Sequence, residues 1–537
     1  MRSIYSRWNQ PVKGESTMRV ASIQVEANDL KDYFTASEKL ERLIEKAAQD
    51  HDLILVPECA YPSYFIAQEE GDLCTVIEKG HKYLHQIKEI AKRDKTYIAY
   101  GYVEKEEEHL FNSAVLIDRE GKEIAKKRKS FLWHFDSTWF AEGNEIAIAD
   151  TDFGRVGLVI CADARMPETV RMAALEGAEL IIDLANLTAS GPDISLLHNA
   201  QSAYMLSVRA LENNVWLAVS DKWGVEADTI TYAGRSSVYA PDGECLYQAG
   251  SNKDEIVSVE VPTDENGRIK KVPAPYRTDR RPECYKTLTA PLDSLPTAQL
   301  ANEPVESYRL TPYTMVSSGH FERDYVQMIR RMIAHGANLI VLAPNQISFE
   351  DYVDEIQQLL PSSTYLVATT IDNGGRMVSY IVTKAGIQHV YETVHTEGKM
   401  DPVEPSSLIY GTEWGRIAIM HDTEALLPEW PRTLTLQGAD CIIWPNQLPA
   451  GTAGKVARTR AAENRICVIS AQSSDGHNAI SQLIDPNGSI LASTLIGKEK
   501  HACGSFVPFV LSRFKNVVPG TNVVTNRHPQ FYGRLTK

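Results

Sequence analysis

An α/β fold present twice along one chain of 537 residues is what the sequence predicts. Two observations carry this: apolar residues switch between the period of a strand and the period of a helix, and four blocks of the first half return in the same order in the second. The first strand is expected over 20–25 (VASIQV), where apolar and polar residues alternate. A helix is expected over 36–49, because Leu40, Leu43, Ile44, Ala47 and Ala48 fall at i, i+3, i+4, i+7 and i+8. The continuous run LILV at 53–56 reads as a buried strand. Further strands are expected over 98–103 and 109–118, the latter closed by the turn Arg119-Glu120-Gly121. The pattern then resumes as a strand over 154–160, a helix over 167–175 and a strand over 180–184. Prolines at 262, 273, 275, 282, 291, 296 and 304, with the cluster Arg277, Arg280 and Arg281 among them, predict an ordered tail followed by a linker.

The internal repeat is long and ordered. GRVGLVICADARMPETVRMAALEGAELII (154–182) aligns without a gap on GRIAIMHDTEALLPEWPRTLTLQGADCII (415–443), and LILVPE (53–58) has its counterpart in LIVLAPN (339–345). RALENN (209–214) matches RAAENR (460–465), and APDGECL (240–246) matches DPNGSIL (485–491). The period is far too long for a solenoid. The division expected is a disordered leader over 1–17, a first copy over 18–300, a second over 305–515 and a C-terminal tail over 516–537.

Composition bounds the function. With 43% hydrophobic and 23% charged residues the chain is ordinary for a globular protein, and 55 basic against 70 acidic residues, a balance of −15, repels phosphate backbones and anionic lipid. Nucleic acid and membrane are therefore not expected as partners. The first seventeen residues lack the apolar stretch of a signal peptide, and no segment offers the roughly 18 apolar residues of a membrane span, so a cytoplasmic protein is expected. The eight cysteines (59, 74, 161, 245, 284, 441, 467, 503) form no CxxC pair and no zinc-finger spacing, which predicts free thiols and no metal.

Three residues of the first copy have chemical potential. Cys161 lies between a strand and a helix start, where a thiolate is favoured; Lys129, in KKRKSF, supplies an ammonium; Glu58, at the end of LILVPE, supplies a carboxylate that can take and return protons. Together these types suffice for acyl transfer. Singly, each also reads as structure: a buried thiol, a strand-end cap, a solvated charge in a basic run. Spacing alone leaves both readings open.

LILVPECAYPSYF, RKSFL, DSTWFAEGNE, GLVICADARMPE, RALENN and YRTDRRPECYKTL, in that order, resemble the nitrilase superfamily of carbon-nitrogen hydrolases over nearly all of 18–290. The resemblance implies an αββα sandwich with a Glu-Lys-Cys triad at its strand ends: Glu58 as general base, Lys129 as electrostatic stabiliser, Cys161 as nucleophile, and the backbone N–H of Ala162 beside Lys129 on the oxyanion. It implies a Cys161 thioester and no metal or organic cofactor. Asp136, four residues before Phe140, stands where many members carry a second glutamate that orients the lysine; Glu142 is a fallback.

The block CADARMPET looks more like the amidase and N-carbamoyl amino acid hydrolase branches than like nitrilases, which usually have Trp and then Glu after the cysteine. A small amide or N-carbamoyl compound is thus the expected substrate. The alternatives are a nitrile, a glutaminase-like half delivering ammonia to a partner, or, in another class, a non-catalytic metabolite-binding or scaffold tandem. Arg165 is expected either to clamp a substrate carboxylate or to pair internally with Glu168 or Asp163. Segment 183–193, with Asp183 and Asn186, is expected to line the pocket; Tyr61 and Trp133 are pocket walls or core aromatics; His134 and His198 stand isolated.

The second copy breaks the triad. Asp422 stands opposite Cys161, Asn345 opposite Glu58 and, in a looser alignment, Val394 opposite Lys129, so no thioester chemistry is expected there. His395, His421, Asp422 and Glu424 offer a polar or metal site, against the plainer reading of a half kept for architecture. Members of the superfamily commonly pair two sandwiches, so two tandem αββα domains forming an intramolecular pseudo-dimer are expected, with self-association of the whole chain left open.

Overall fold

The computed structural model describes residues 16–66, 73–143, 146–189, 199–300, 311–319, 325–395, 403–473, 478–497 and 500–537. Most of the expected leader, His198 and part of segment 183–193 lie outside these residues. Thr17, placed in the leader by the sequence, opens the first strand. The chain divides into two compact units, Met1–Ala274 with Val518–Thr521, and Pro275–Val517 with Asn522–Lys537.

In the first unit, β1 (Thr17–Glu26), β2 (Leu53–Tyr61), β3 (Tyr97–Glu106), β4 (His109–Ile117) and β5 (Glu123–Arg128) lie in the first sheet. β6 (Ala147–Thr151), β7 (Gly154–Ile160), β8 (Leu180–Leu184) and β9 (Trp216–Ser220) lie in the second. β10 (Lys222–Glu226) and β11 (Ile230–Ala233) extend the first sheet, β12 (Ser237–Tyr239) and β13 (Cys245–Gln248) the second, and β14 (Glu255–Pro262) pairs antiparallel with β1. The orders are β11-β10-β1-β2-β3-β4-β5 and β13-β12-β9-β8-β7-β6. Each sheet has a parallel centre, β10-β1-β2-β3 and β7-β8-β9, flanked by antiparallel strands.

Helices cover the outer faces. α1 (Tyr33–Ala48) turns Leu40, Ile44 and Ala47 onto the first sheet, where they meet Ile54, Val56, Ile98 and Val115. Each such aliphatic side chain contributes roughly 1.5–3 kcal/mol when fully buried. The same cluster takes Leu84, Ile87 and Ile90 from α2 (Leu73–Asp94), a helix absent from the sequence-based reading. α3 (Pro167–Leu175) and α4 (Leu206–Asn213) lie on the second sheet, so close at Gly157 that an added Cβ would meet the Ala173 methyl at 3.0 Å. With β2 against β8 and β4 against β7, the unit is an αββα sandwich.

The second unit repeats this order. β15 (Tyr313–Ser318), β16 (Leu339–Val341), β17 (Tyr365–Ile371), β18 (Met377–Thr383) and β19 (Gly386–Glu392) belong to one sheet; β20 (Tyr410–Thr412), β21 (Gly415–Ile419), β22 (Cys441–Asn446), β23 (Cys467–Gln472), β24 (Gln482–Ile484) and β25 (Ile490–Ser493) make the other. β26 (His501–Phe506) pairs antiparallel with β15 as β14 does with β1. The sheets run β19-β18-β17-β16-β15-β26 and β20-β21-β22-β23-β24-β25, the first unit's succession without the β10–β11 pair.

The boundary expected near 300 falls instead at Ala274/Pro275. Residues 275–300 fold as short helical turns held to the second unit: Arg280 Nε lies 2.7 Å from Glu429 Oε1, and Gln437 Nε2 donates to Thr287 Oγ1 at 2.8 Å. The expected tail is likewise ordered, and most of it counts with the second unit, where Val523 and Leu535 are buried. No described helix is long and apolar enough to cross a membrane.

Candidate active site

Glu58 is turned inward by an irregularity in β2. Ile54 and Val56 face the helices, and in a regular strand position 58 would do the same. The β2–β3 register slips between Val56, opposite Tyr100, and Tyr61, opposite Tyr102. Within this slip Cys59 adopts φ +42°, and Tyr61 takes the helix-facing slot that Glu58 would have filled. Gly101 makes the slip possible, because a Cβ there would lie 2.3 Å from the Pro57 carbonyl oxygen. The fully buried Glu58 accepts hydrogen bonds at Oε1 from Asn112 Nδ2 (2.6 Å) and Lys129 Nζ (2.8 Å); its Oε2 has no partner among the described residues. Burial raises its carboxyl above the usual range, although Lys129 pulls the other way.

Lys129 follows β5, its ammonium held between Glu58 and Asp136, whose Oδ2 it meets at 2.6 Å. Burial works against the charge, but Asp136 and Glu58 outweigh it and hold the ammonium well above its ordinary value. Asp136 sits in the turn His134–Thr138, where it accepts the Trp133 backbone N–H at 3.0 Å and the Tyr64 hydroxyl. Although one methylene shorter than the glutamate many members carry there, Asp136 meets the lysine directly, because the turn brings it into contact. Glu142 is exposed.

Cys161 opens the single turn Cys161–Arg165 between β7 and α3, at φ +50° and 7% exposed. Its N–H donates to Asp183 Oδ1 at 2.7 Å and its carbonyl accepts Gln201 Nε2 at 2.9 Å. Burial and the Glu58 carboxylate raise the thiol well above its normal value; Lys129 and the backbone N–H of Asn186 oppose them. Asp183, whose carboxyl accepts the Cys161 N–H, adds to the rise, so burial and two acidic neighbours disfavour the thiolate while Lys129 favours it. Asp163 ties the elements together, accepting the N–H groups of Ser130 (3.0 Å) and Phe131 (2.8 Å), so the loop after Lys129 is fixed to the turn carrying Cys161.

The remaining expected site residues divide. Ala162 is the buried second residue of the Cys161 turn. Asp183, fully buried, supports Cys161 through its backbone and keeps Oδ2 unpartnered among the described residues. Asn186 is 3% exposed and neither of its amide atoms has a partner among the described residues. Arg165 places its guanidinium 5.5 Å from the centre of the Trp133 ring, and Trp133 is partly exposed. Tyr61 is a correction: its hydroxyl donates to the Val76 carbonyl at 2.6 Å and its ring meets those of Tyr33 and Tyr83, so it belongs to the helix-side core and lines no pocket with Glu58. His134 is exposed, and its N–H donates to Thr521 Oγ1 at 2.7 Å. Asn112, Tyr64 and Gln201 were absent from the sequence reading, and Asp163 entered it only as a partner for Arg165.

In the second unit the N–H groups of Val394 and His395 donate to Glu424 Oε1 at 2.8 and 3.0 Å, as those of Ser130 and Phe131 do to Asp163. This equivalence puts Thr393, not Val394, opposite Lys129. Asp422 keeps the left-handed backbone of Cys161, at φ +38°. His421 shares hydrogen bonds with Ser379 Oγ (2.7 Å) and Thr393 Oγ1 (2.9 Å); His395 bonds Glu424 and Tyr285. The polar residues thus satisfy one another, and no group suited to holding a metal occurs among the described residues.

The carbon-nitrogen hydrolase family model matches residues 19–271. A hydrolase encoded in the pqqF 5' region of Pseudomonas protegens is 31% identical over 284 residues, covering 52% of this chain and 94% of its own. The nitrilase of Pyrococcus abyssi is 31% identical over 253 residues, 46% of this chain and 91% of that one. An (R)-stereoselective amidase of a Pseudomonas species is 30% identical over 242 residues, 44% and 82%.

Proposed function

This chain belongs to the carbon-nitrogen hydrolase family, and on that premise we propose that its first unit hydrolyses a small amide or N-carbamoyl compound through a thioester on Cys161. The observation that carries the reading is the buried chain Asp136–Lys129–Glu58 adjoining a thiol on a left-handed turn. Glu58 takes the Cys161 proton as sulfur attacks the acyl carbon, and the oxyanion that forms is met by the Lys129 ammonium and the Ala162 N–H. Glu58 then passes the proton to the departing nitrogen, the carbon-nitrogen bond breaks and the amine or ammonia leaves. Water, deprotonated by Glu58, attacks the thioester; collapse expels the Cys161 thiolate, which recovers the proton.

One further feature supports an amide over a nitrile: Ala162 and Asp163 follow the cysteine where nitrilases usually carry Trp and Glu, while the relatives, which include a nitrilase, amidases and N-carbamoylputrescine amidases, fit either substrate. Asn186, with both amide atoms unpartnered beside Cys161, suits recognition of a polar acyl group. The test is ammonia release by the wild type and Cys161→Ala, each offered primary amides, N-carbamoyl amino acids and nitriles. Release from amides or carbamoyl compounds by the wild type alone is expected. Release from nitriles alone would move the assignment to a nitrilase, and equal release by both proteins would remove Cys161 from the chemistry.

A further inference from the structure

A cavity of ≈ 690 Å³ is lined wholly by residues of the second unit. Thr297, Arg513, Lys515, Asn522 and Thr525 give it polar walls, and Leu292 and Val524 an apolar portion. Lys515 is 6% exposed, and its ammonium reaches only main-chain oxygens, Arg465 O at 3.0 Å and Asn464 O at 3.4 Å. No carboxylate among the described residues lies within ion-pair distance of it. Arg513, equally buried, places Nε 3.8 Å from Asp440 Oδ1, whose partner oxygen accepts the Arg416 N–H at 2.9 Å.

The groups whose charge reaches Lys515 are Asp440 and the Cys467 thiol on one side, Arg432 and Arg465 on the other. With Arg513, four cations stand against two carboxylates, Asp440 and Asp293, the latter also on the cavity wall. A buried ammonium without a counter-ion is costly, and an anion in the adjoining cavity relieves that cost. We infer that this cavity binds the oxyanion group, carboxylate or phosphate, of a small metabolite, seated on Lys515 and Arg513 with hydrogen bonds from Thr297, Asn522 or Thr525. The site lies in the unit that lacks the Cys-Lys-Glu set and stands independently of the reading of Cys161.

The site has a pH signature. Burial, reinforced by Arg432 and Arg465 and opposed by Asp440, brings the Lys515 ammonium down to about 7. A bound anion favours the protonated lysine, so affinity falls by up to about tenfold per pH unit above that value. The experiment is calorimetric titration of the full chain with inorganic phosphate and, separately, succinate, against sodium chloride at matched ionic strength. Saturable binding by either probe is expected, tighter at acid than at alkaline pH. It should weaken about tenfold or more in Lys515→Met, and succinate binding should lose its pH dependence above pH 6.5 in Lys515→Arg. Phosphate without succinate, or the reverse, identifies the oxyanion. Neither probe exceeding chloride in the wild type overturns the proposal, as does equal affinity in a folded Lys515→Met. If that variant does not fold, a pH dependence of succinate binding that persists between pH 6.5 and 8.5 in Lys515→Arg overturns it.

Discussion

Lys129 lies between two carboxylates with almost no access to water, and this placement governs three properties at once. Its own charge is secured, the Glu58 carboxylate is oriented through one oxygen, and the second oxygen of Glu58 is left unpartnered and available to exchange protons. Asp136→Asn keeps the shape and removes one of the two charges, so kcat should fall about 10²-fold with the fold retained, checked by steady-state kinetics alongside thermal melting. Glu58 must be ionised to receive the thiol proton. Because burial raises its carboxyl, the acid limb of the kcat/KM profile should lie above the ordinary value of 4.5. Activity should thus disappear as pH falls through the raised value, and a limb at or below 4.5 would contradict this.

The decisive feature among the elements is the slip in β2. It exchanges Glu58 for Tyr61 at one strand position and so sends the carboxylate toward the second sheet and the phenol toward α1 and α2. Gly101→Ala would drive a methyl into the Pro57 carbonyl. At least about a tenfold loss of kcat is expected, with destabilisation of about 1–3 kcal/mol in chemical unfolding. Strands β2 and β7 were legible because each holds a stretch without a polar side chain, LILV at 53–56 and GLVI at 157–160. The slip was not, since alternation alone assumes an unbroken register. α2 escaped notice because Gly80 and a charged surface dilute its stripe; the structure shows Gly80 where the Tyr61 ring presses on the helix, 2.8 Å from an added Cβ.

In the second unit burial lowers the fully enclosed His421 to about 4. The unfolded chain therefore takes up a proton that the folded one refuses between about pH 6.5 and 4. The stability is present above 6.5 and is lost as pH falls toward 4, a difference of about 3 kcal/mol. His421→Gln should flatten that part of the stability curve in urea unfolding at several pH values.

At the scale of the molecule, two units share one strand succession, and one of them brings Glu58, Lys129 and Cys161 together. The chain should accept one acyl group from substrate, so intact mass of a rapidly quenched wild-type reaction should show a single adduct that Cys161→Ala lacks. Two adducts, or one that persists in the variant, would place acylation on another thiol such as the exposed Cys74 or Cys245. The alternating periods, the internal repeat and the residue types at 58, 129 and 161 were determined by the sequence alone, because local periodicity and composition are properties of the chain itself. Tertiary structure decided what depends on distant segments meeting. It brought Asp136 into contact with Lys129, assigned Tyr61 to the core, made Asn112 and Tyr64 partners of the two carboxylates, and joined 275–300 to the second unit. A side chain's direction and burial follow from register slips and neighbouring elements far along the chain, and these are settled only when the sheets pack.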